Sequence, residues 1–215
     1  MAKGTDWIAW HARYDDPTNP LVARRVAVSA AIRSLLDAAA PGPIRLLSLC
    51  GGDARDLVDA LAGHARLVDV RAVVVELSTE LAGRARENVR ALGLNDHLEI
   101  RAADACSPPV FADVLPVDLL LLVGLFGNIS DEDVARLIHS VPLMCRTNAA
   151  VIWTRHRRAP DLTPTIRRWF DNIGAASERF VSPGAESWSV GLERCSSVPV
   201  PSIGQLPTTL FTFTC

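Results

Sequence analysis

The stretch IRLLSLCGGDARDL, residues Ile44 to Leu57, joins a short apolar run to a pair of glycines and then to the opening of a helix. A continuous apolar run of this length, followed directly by turn residues, is the pattern of a strand covered on both faces. Glycine in the turn lets the backbone approach a ligand that a side chain would hold off. A strand, a glycine turn and a helix are also what many purely structural connections look like. The stretch therefore sets the fold first, and marks a site only in combination with residues further along the chain.

Upstream, Asn19 stands as an N-cap before Pro20, and Val22, Val26, Ile32, Leu35 and Leu36 recur at helical spacing until Pro41. Downstream, strands and helices alternate. Leu57, Val58 and Leu61 mark a short helix closed by Gly63, and VRAVVVEL (Val70 to Leu77) is a second buried strand. Ser78 caps a helix striped by Leu81, Ala85, Val89 and Leu92 and stopped by Gly93. His97 to Ala102, Val117 to Val123 and Ala149 to Thr154 are read as the next three strands, with a helix capped by Ser130 between the last two. A helix capped by Thr163 then runs to Gly174. Beyond it come three strands without helices, at Glu178 to Val181, Ser187 to Glu193 and Thr208 to Thr214. Repeated βα units require helices on both faces of a parallel sheet. The expected architecture is a doubly wound, Rossmann-like open α/β sheet, mostly parallel, with an antiparallel C-terminal edge and an N-terminal helical lid. Residues 1–42 form the lid segment and first helix, and 43–215 the main domain.

Composition limits the function classes. The chain has 215 residues, 49% hydrophobic and 21% charged, with a net charge of −2, and its basic residues are dispersed. No electrostatic footprint for nucleic acid stands out, and no apolar run reaches the ~18 residues of a membrane span. A cytoplasmic protein with neither nucleic-acid nor membrane partner is expected, monomer or homodimer. The five cysteines and five histidines are scattered without metal-ligand spacing, so no metal is expected.

In open α/β sheets, ligands bind outside the carboxyl ends of the strands. There the first strand delivers Ser48, Cys50, Gly51, Gly52 and Asp53. The second ends at Glu76 and Leu77, with the acid at roughly the 20-residue separation at which a carboxylate receives ribose hydroxyls. The third leads to Asp104 and Ala105 in RAADAC, where a carboxylate can face an adenine amino group. The fourth ends in LLVGLFGNIS, with Gly124, Phe126, Gly127 and Asn128 as a candidate cofactor-facing floor and Asn128 as a residue to orient an acceptor. Glu76 also reads as a helix cap, Asp104 as a turn residue, and Gly127 with Ser130 as an ordinary connection.

Together these features resemble the class I S-adenosylmethionine-dependent methyltransferases. Their first strand and glycine loop correspond to LLSLCGGDARDL, their ribose-binding acid to Glu76 and their adenine-contacting acidic position to Asp104. The resemblance is nearest to a bacterial branch with an N-terminal WHxxYDDP segment, here Trp10, His11, Tyr14, Asp15, Asp16 and Pro17, and a terminal LFTF, Leu210 to Phe213. It implies S-adenosylmethionine as cofactor, S-adenosylhomocysteine as product and a small-molecule methyl acceptor. Where the family has an acid and then alternate glycines, this chain has Ser48, Cys50, Gly52 and Ala54. Asp53 or an N-terminal residue is expected to replace the missing acidic contact.

Trp7, Trp10, His11 and Tyr14 lie ahead of the core in polar surroundings, where aromatics are costly to expose. Residues 5 to 19 are therefore expected to fold over the cofactor and acceptor as a lid, with His11 and Tyr14 touching ligand, Tyr14 at the methionine part, and Trp7 and Trp10 packed against the sheet. After the fifth strand, WTRHRRAPD places His156 among arginines on the acceptor rim, as the leading general base because imidazole titrates near neutrality. Solvated loop charge is the other reading of that cluster. A nicotinamide-dependent oxidoreductase shares the βαβ logic, but GxGxxG is absent. A catalytically silent cofactor-binding or interaction protein of the same fold is the alternative from outside the enzymes. Glu76→Ala is expected to weaken cofactor binding without unfolding the chain.

Overall fold

A computed structural model describes residues 6–184, 187–195 and 205–214. Residue 5 of the expected lid and Cys215 lie outside the described residues. Helix α1 (Trp7–Ala12) and a turn of 3-10 helix (Arg13–Asp15) precede α2 (Pro20–Ala38). Then come β1 (Ile44–Leu49), α3 (Arg55–Leu61), β2 (Val70–Glu76), α4 (Thr79–Ala91), β3 (Leu98–Ala102), β4 (Val117–Leu122) and α5 (Asp131–Met144). The chain continues through β5 (Cys145–His156), α6 (Thr163–Asn172), β6 (Ala175–Val181) and β7 (Trp188–Cys195).

The seven strands form one sheet in the order β3-β2-β1-β4-β5-β7-β6. The first five run parallel, while β7 is antiparallel to β5 and to β6. This is the expected doubly wound sheet with an antiparallel edge. Chain order reverses between β1 and β4, which opens the crevice above their carboxyl ends.

Two cores explain the near-continuous apolar strands. On one face Leu46, Val74, Leu119, Leu121 and Ile152 meet Val28, Ile32 and Leu36 of α2 together with α3 and α4. On the other, Leu47, Val75, Leu120, Leu122 and Trp153 meet α5 and α6. Asn19, Ser78 and Ser130 cap their helices through side-chain oxygens, as their positions predict.

Several boundaries differ from the sequence reading. β3 begins at Leu98, and β5 extends from Cys145, paired with Val117 of β4, to His156, paired with Trp188 of β7. Thr163 is the first residue of α6; the carboxylate of Asp161 accepts from its amide and hydroxyl and does the capping. The expected strand over Thr208–Thr214 is not a strand. Its backbone bonds are taken by loops: the Leu210 amide donates to Cys106 O, the Thr212 amide to Asp133 Oδ2 and the Thr214 amide to Asn128 O. Leu210 and Phe211 are fully buried, so the alternating pattern serves a strap across the strand ends. Among the described residues no helix is long and apolar enough to cross a membrane.

Candidate active site

The glycine turn keeps a left-handed backbone at alternate positions even where glycine is missing. Cys50, Gly52 and Ala54 have φ of 55°, 57° and 59°. A side chain in that region costs roughly 1–2 kcal/mol. Ala54 sits at the N-terminus of α3 and Cys50 at the end of β1, so both ends of the turn carry strain that their side chains do not require. Cys50→Gly is expected to stabilise the chain by roughly 0.5–1 kcal/mol, the relieved strain being partly offset by glycine's greater unfolded entropy. Thermal unfolding checks this; an unchanged or lower midpoint would show that the thiol's packing outweighs the strain.

Glu76 organises the turn. It is 8% exposed; Oε2 accepts from the Gly52 amide at 2.9 Å and Oε1 from the Ser78 amide at 2.9 Å. A carboxylate has about four acceptor sites, so two remain for a ligand. Its position as both helix-proximal cap and cavity wall joins the two readings that the sequence leaves open.

Above the turn lies a cavity of about 330 Å³. Of the residues expected in the site, His11, Tyr14, Cys50, Gly51, Asp53, Glu76, Leu77, Asp104, Ala105, Gly124 and Asn128 line it. Ser48 does not: its side chain packs behind Gly51, whose Cβ, if present, would lie 2.9 Å from Ser48 Oγ. Gly52 is also off the wall. A Cβ there would stand 2.1 Å from His11 Nε2, so glycine is what allows the imidazole to rest on the turn. His156 is absent from the lining as well and lies beside Gly127, 3.8 Å from the site of a Cβ there. Burial, then Arg155 and Arg158, hold its pKa below the ordinary value. Phe126 is no floor residue; it is fully buried near Trp153 in the core.

The N-terminal segment is latched over the cavity. His11 Nδ1 lies 2.9 Å from the Trp7 carbonyl, which only accepts, so Nδ1 carries a proton and Nε2 is the ring nitrogen not used in this bond. Arg55 pairs with Asp53 on the turn and with Asp15 at 3.0 Å in the YDDP motif. Tyr14 is buried, and its hydroxyl accepts from Arg24; burial, opposed by Arg24, pushes its pKa up to about 12, so it remains a neutral phenol. Trp7 and Trp10 are half-buried on the cavity wall instead of packed on the sheet. Phe213 of the C-terminal strap meets Trp7 at a ring-centroid distance of 6.1 Å.

Sequence reasoning missed Arg24, Arg55, Asp56, Phe213 and the cavity roles of the tryptophans. Arg24 sits inside an amphipathic helix pattern, where an arginine reads as solvated surface. Asp56, on the first turn of α3, is held up to about 6 by burial, against the lowering influence of Arg24. At β4, the Gly124 amide donates to Thr154 Oγ1 at 2.8 Å and Asn128 Nδ2 donates to Gly124 O at 2.6 Å, so Asn128 pins this wall. Asp104 holds its own turn by accepting from the Cys106 amide at 2.9 Å.

No protein-family model and no curated protein sequence matches the chain. Solved structures do match in fold. An O-methyltransferase family protein from Burkholderia thailandensis superposes with a TM-score of 0.67 at 16% identity; the match covers 89% of this chain but 61% of that one. The magnesium protoporphyrin IX methyltransferase of Synechocystis PCC 6803, solved with bound S-adenosylhomocysteine, gives 0.66 at 14% identity, covering 90% of this chain and 95% of that one. The cyclase SpnF gives 0.62 at 12% identity over 80% of this chain and 82% of that one. The chain has the Rossmann-like fold of class I methyltransferases, a fold that also hosts an enzyme named for a different reaction.

Proposed function

We propose that the protein binds S-adenosylmethionine in this cavity and transfers its methyl group to a small-molecule acceptor. The observation that carries the reading is Glu76. It is a buried carboxylate at the end of β2, fixed by two backbone amides, with acceptor capacity left on the cavity side. Such a group suits a pair of ribose hydroxyls. Leu77 and Ala105 supply apolar surface for a base, and Asp104 an acceptor at its edge. The left-handed turn at Cys50, Gly52 and Ala54 supports the same reading, since it keeps the backbone open to ligand despite the substitutions.

A sulfonium methyl is already an activated electrophile, so the protein's task is to align an acceptor and exclude water. Trp7, Trp10 and Phe213 wall the cavity from the two ends of the chain and suit that exclusion. In this reading His11 receives an acceptor proton through Nε2, which is supported by its position on the cavity lining and by Nδ1 anchored on Trp7 O. His156 is not among the cavity-lining residues, so His11 is preferred to it. Asn128 acts in this reading by holding Gly124 in place. The mainly apolar, concave cavity and the dispersed charge favour a metabolite acceptor over a macromolecule.

Isothermal calorimetry with S-adenosylmethionine and S-adenosylhomocysteine tests the reading. Binding of both is expected. Binding of neither, or preference for a nicotinamide nucleotide, would overturn it. Mass spectrometry of metabolite pools incubated with the protein and cofactor is then expected to show an acceptor gaining one methyl group. Binding without any methylated product would leave a silent cofactor-binding protein.

A further inference from the structure

Among the described residues, Arg24 is a buried cation without a counter-ion. It lies on α2, is 8% exposed and lines the cavity. Its guanidinium stands 5.7 Å from the centroid of the Trp10 ring and 5.9 Å from that of Tyr14. The hydrogen bond it makes among the described residues goes to the Tyr14 hydroxyl, a neutral group, and its Nε has no partner there. None of the ion pairs among the described residues includes it. Buried charges are ordinarily paired, because an uncompensated one carries a large desolvation penalty. Asp56 feels the charge of Arg24, which lowers its pKa against burial, but the two make no ion pair or hydrogen bond among the described residues, so the guanidinium keeps donors free on the cavity side.

The place of Arg24 in the fold says which anion completes it. Asp104, Glu76, the glycine turn and Gly124 follow β3, β2, β1 and β4, in that order across the sheet. The guanidinium lies at the Gly124 end, 4.0 Å from where a Cβ on Gly124 would stand. A nucleoside with its base at Asp104 and its ribose at Glu76 points its 5′ substituent toward Arg24. Asp53 and Asp56 line the same end and suit an ammonium group beside it. We propose that Arg24 receives the carboxylate of the amino-acid tail of the nucleoside ligand, making a carboxylate at that end a requirement for tight binding. This role rests on S-adenosylmethionine being the cofactor.

The test is calorimetry on the full chain with S-adenosylhomocysteine and with its decarboxylated analogue, whose tail keeps the amine. Wild type is expected to bind the carboxylate form more tightly by about 30-fold or more, the scale of leaving a buried charge unpaired. Arg24→Met is expected to erase that preference while retaining the analogue, which also shows that the variant is folded. Arg24→Lys is expected to keep part of the preference and serves where Arg24→Met fails to fold. Equal affinity of wild type for the two compounds would overturn the role of Arg24 and leave the cofactor reading intact. Equal loss of both compounds in a folded Arg24→Met would also overturn it, marking a purely structural residue. Failure of wild type to bind either compound would remove the cofactor reading and the Arg24 role together.

Discussion

Glu76→Ala is expected to lower affinity for S-adenosylhomocysteine by about 100-fold or more, because in the proposed binding mode its carboxylate accepts from two ribose hydroxyls, in charge-assisted hydrogen bonds of about 1.5–3 kcal/mol each. The same substitution is expected to lower thermal stability. The amides of Gly52 and Ser78 both donate to this carboxylate, and removing it leaves them without their acceptor. A buried donor left unpaired costs about 1–3 kcal/mol. The chain should stay folded, since neither core depends on Glu76, but its unfolding midpoint should fall. Glu76→Gln offers a carbonyl for one amide and a mismatched NH₂ for the other, so an intermediate loss is expected in both measurements. Unchanged affinity in a folded Glu76→Ala protein would remove Glu76 from the ligand site, whatever happened to stability.

The second large effect lies away from the cavity, in the antiparallel edge. Glu193 on β7 is fully buried, and its Oε1 accepts from Trp153 Nε1 at 3.1 Å. Burial, opposed by the hydrogen bond from Trp153, raises its pKa from 4.5 to about 7. Below the unfolded value both states hold the proton and the group has no effect on stability. As pH rises from 4.5 through about 7, the unfolded state loses the proton first, so the folded state binds more protons and stability falls. The loss levels off above the folded pKa, with about 3 kcal/mol as its upper bound at 1.36 kcal/mol per unit.

Glu193→Gln keeps an acceptor for Trp153 and removes the titration. It is expected to match wild type near pH 4.5 and to melt roughly 4–10 °C higher near pH 8, given about 2–4 °C per kcal/mol for a chain of this size. Parallel melting curves for the two proteins across that range would show that Glu193 does not titrate there. The measurement needs no ligand, so it is independent of every functional assignment.

Local pattern sufficed for the βα repeat because each buried strand carries its own apolar run and each helix its own cap. Asn19, Ser78 and Ser130 are short-range signals, complete within one turn of chain. The TTLFTFT tail shows where such logic stops. Its alternation belongs equally to a strand and to a strap, and the choice lies with Cys106, Asn128 and Asp133, which supply its partners from distant loops. His156 illustrates a related limit: it stands at a strand end as a site residue should, but there β5 is paired with Trp188 of β7, and His156 is not among the residues that line the cavity.

The sequence by itself determined the alternation of strands and helices behind the doubly wound sheet and the acids at the strand ends, because hydrophobic period is written locally. Only the tertiary structure decided which groups meet over the glycine turn. His11 rests on Gly52, Arg55 ties Asp15 to Asp53, and Phe213 closes on Trp7 from the other end of the chain. Arg24 reads in sequence as one more surface arginine on an amphipathic helix. Its meaning comes from burial without a counter-ion among the described residues, and burial is set by what other segments place around a side chain.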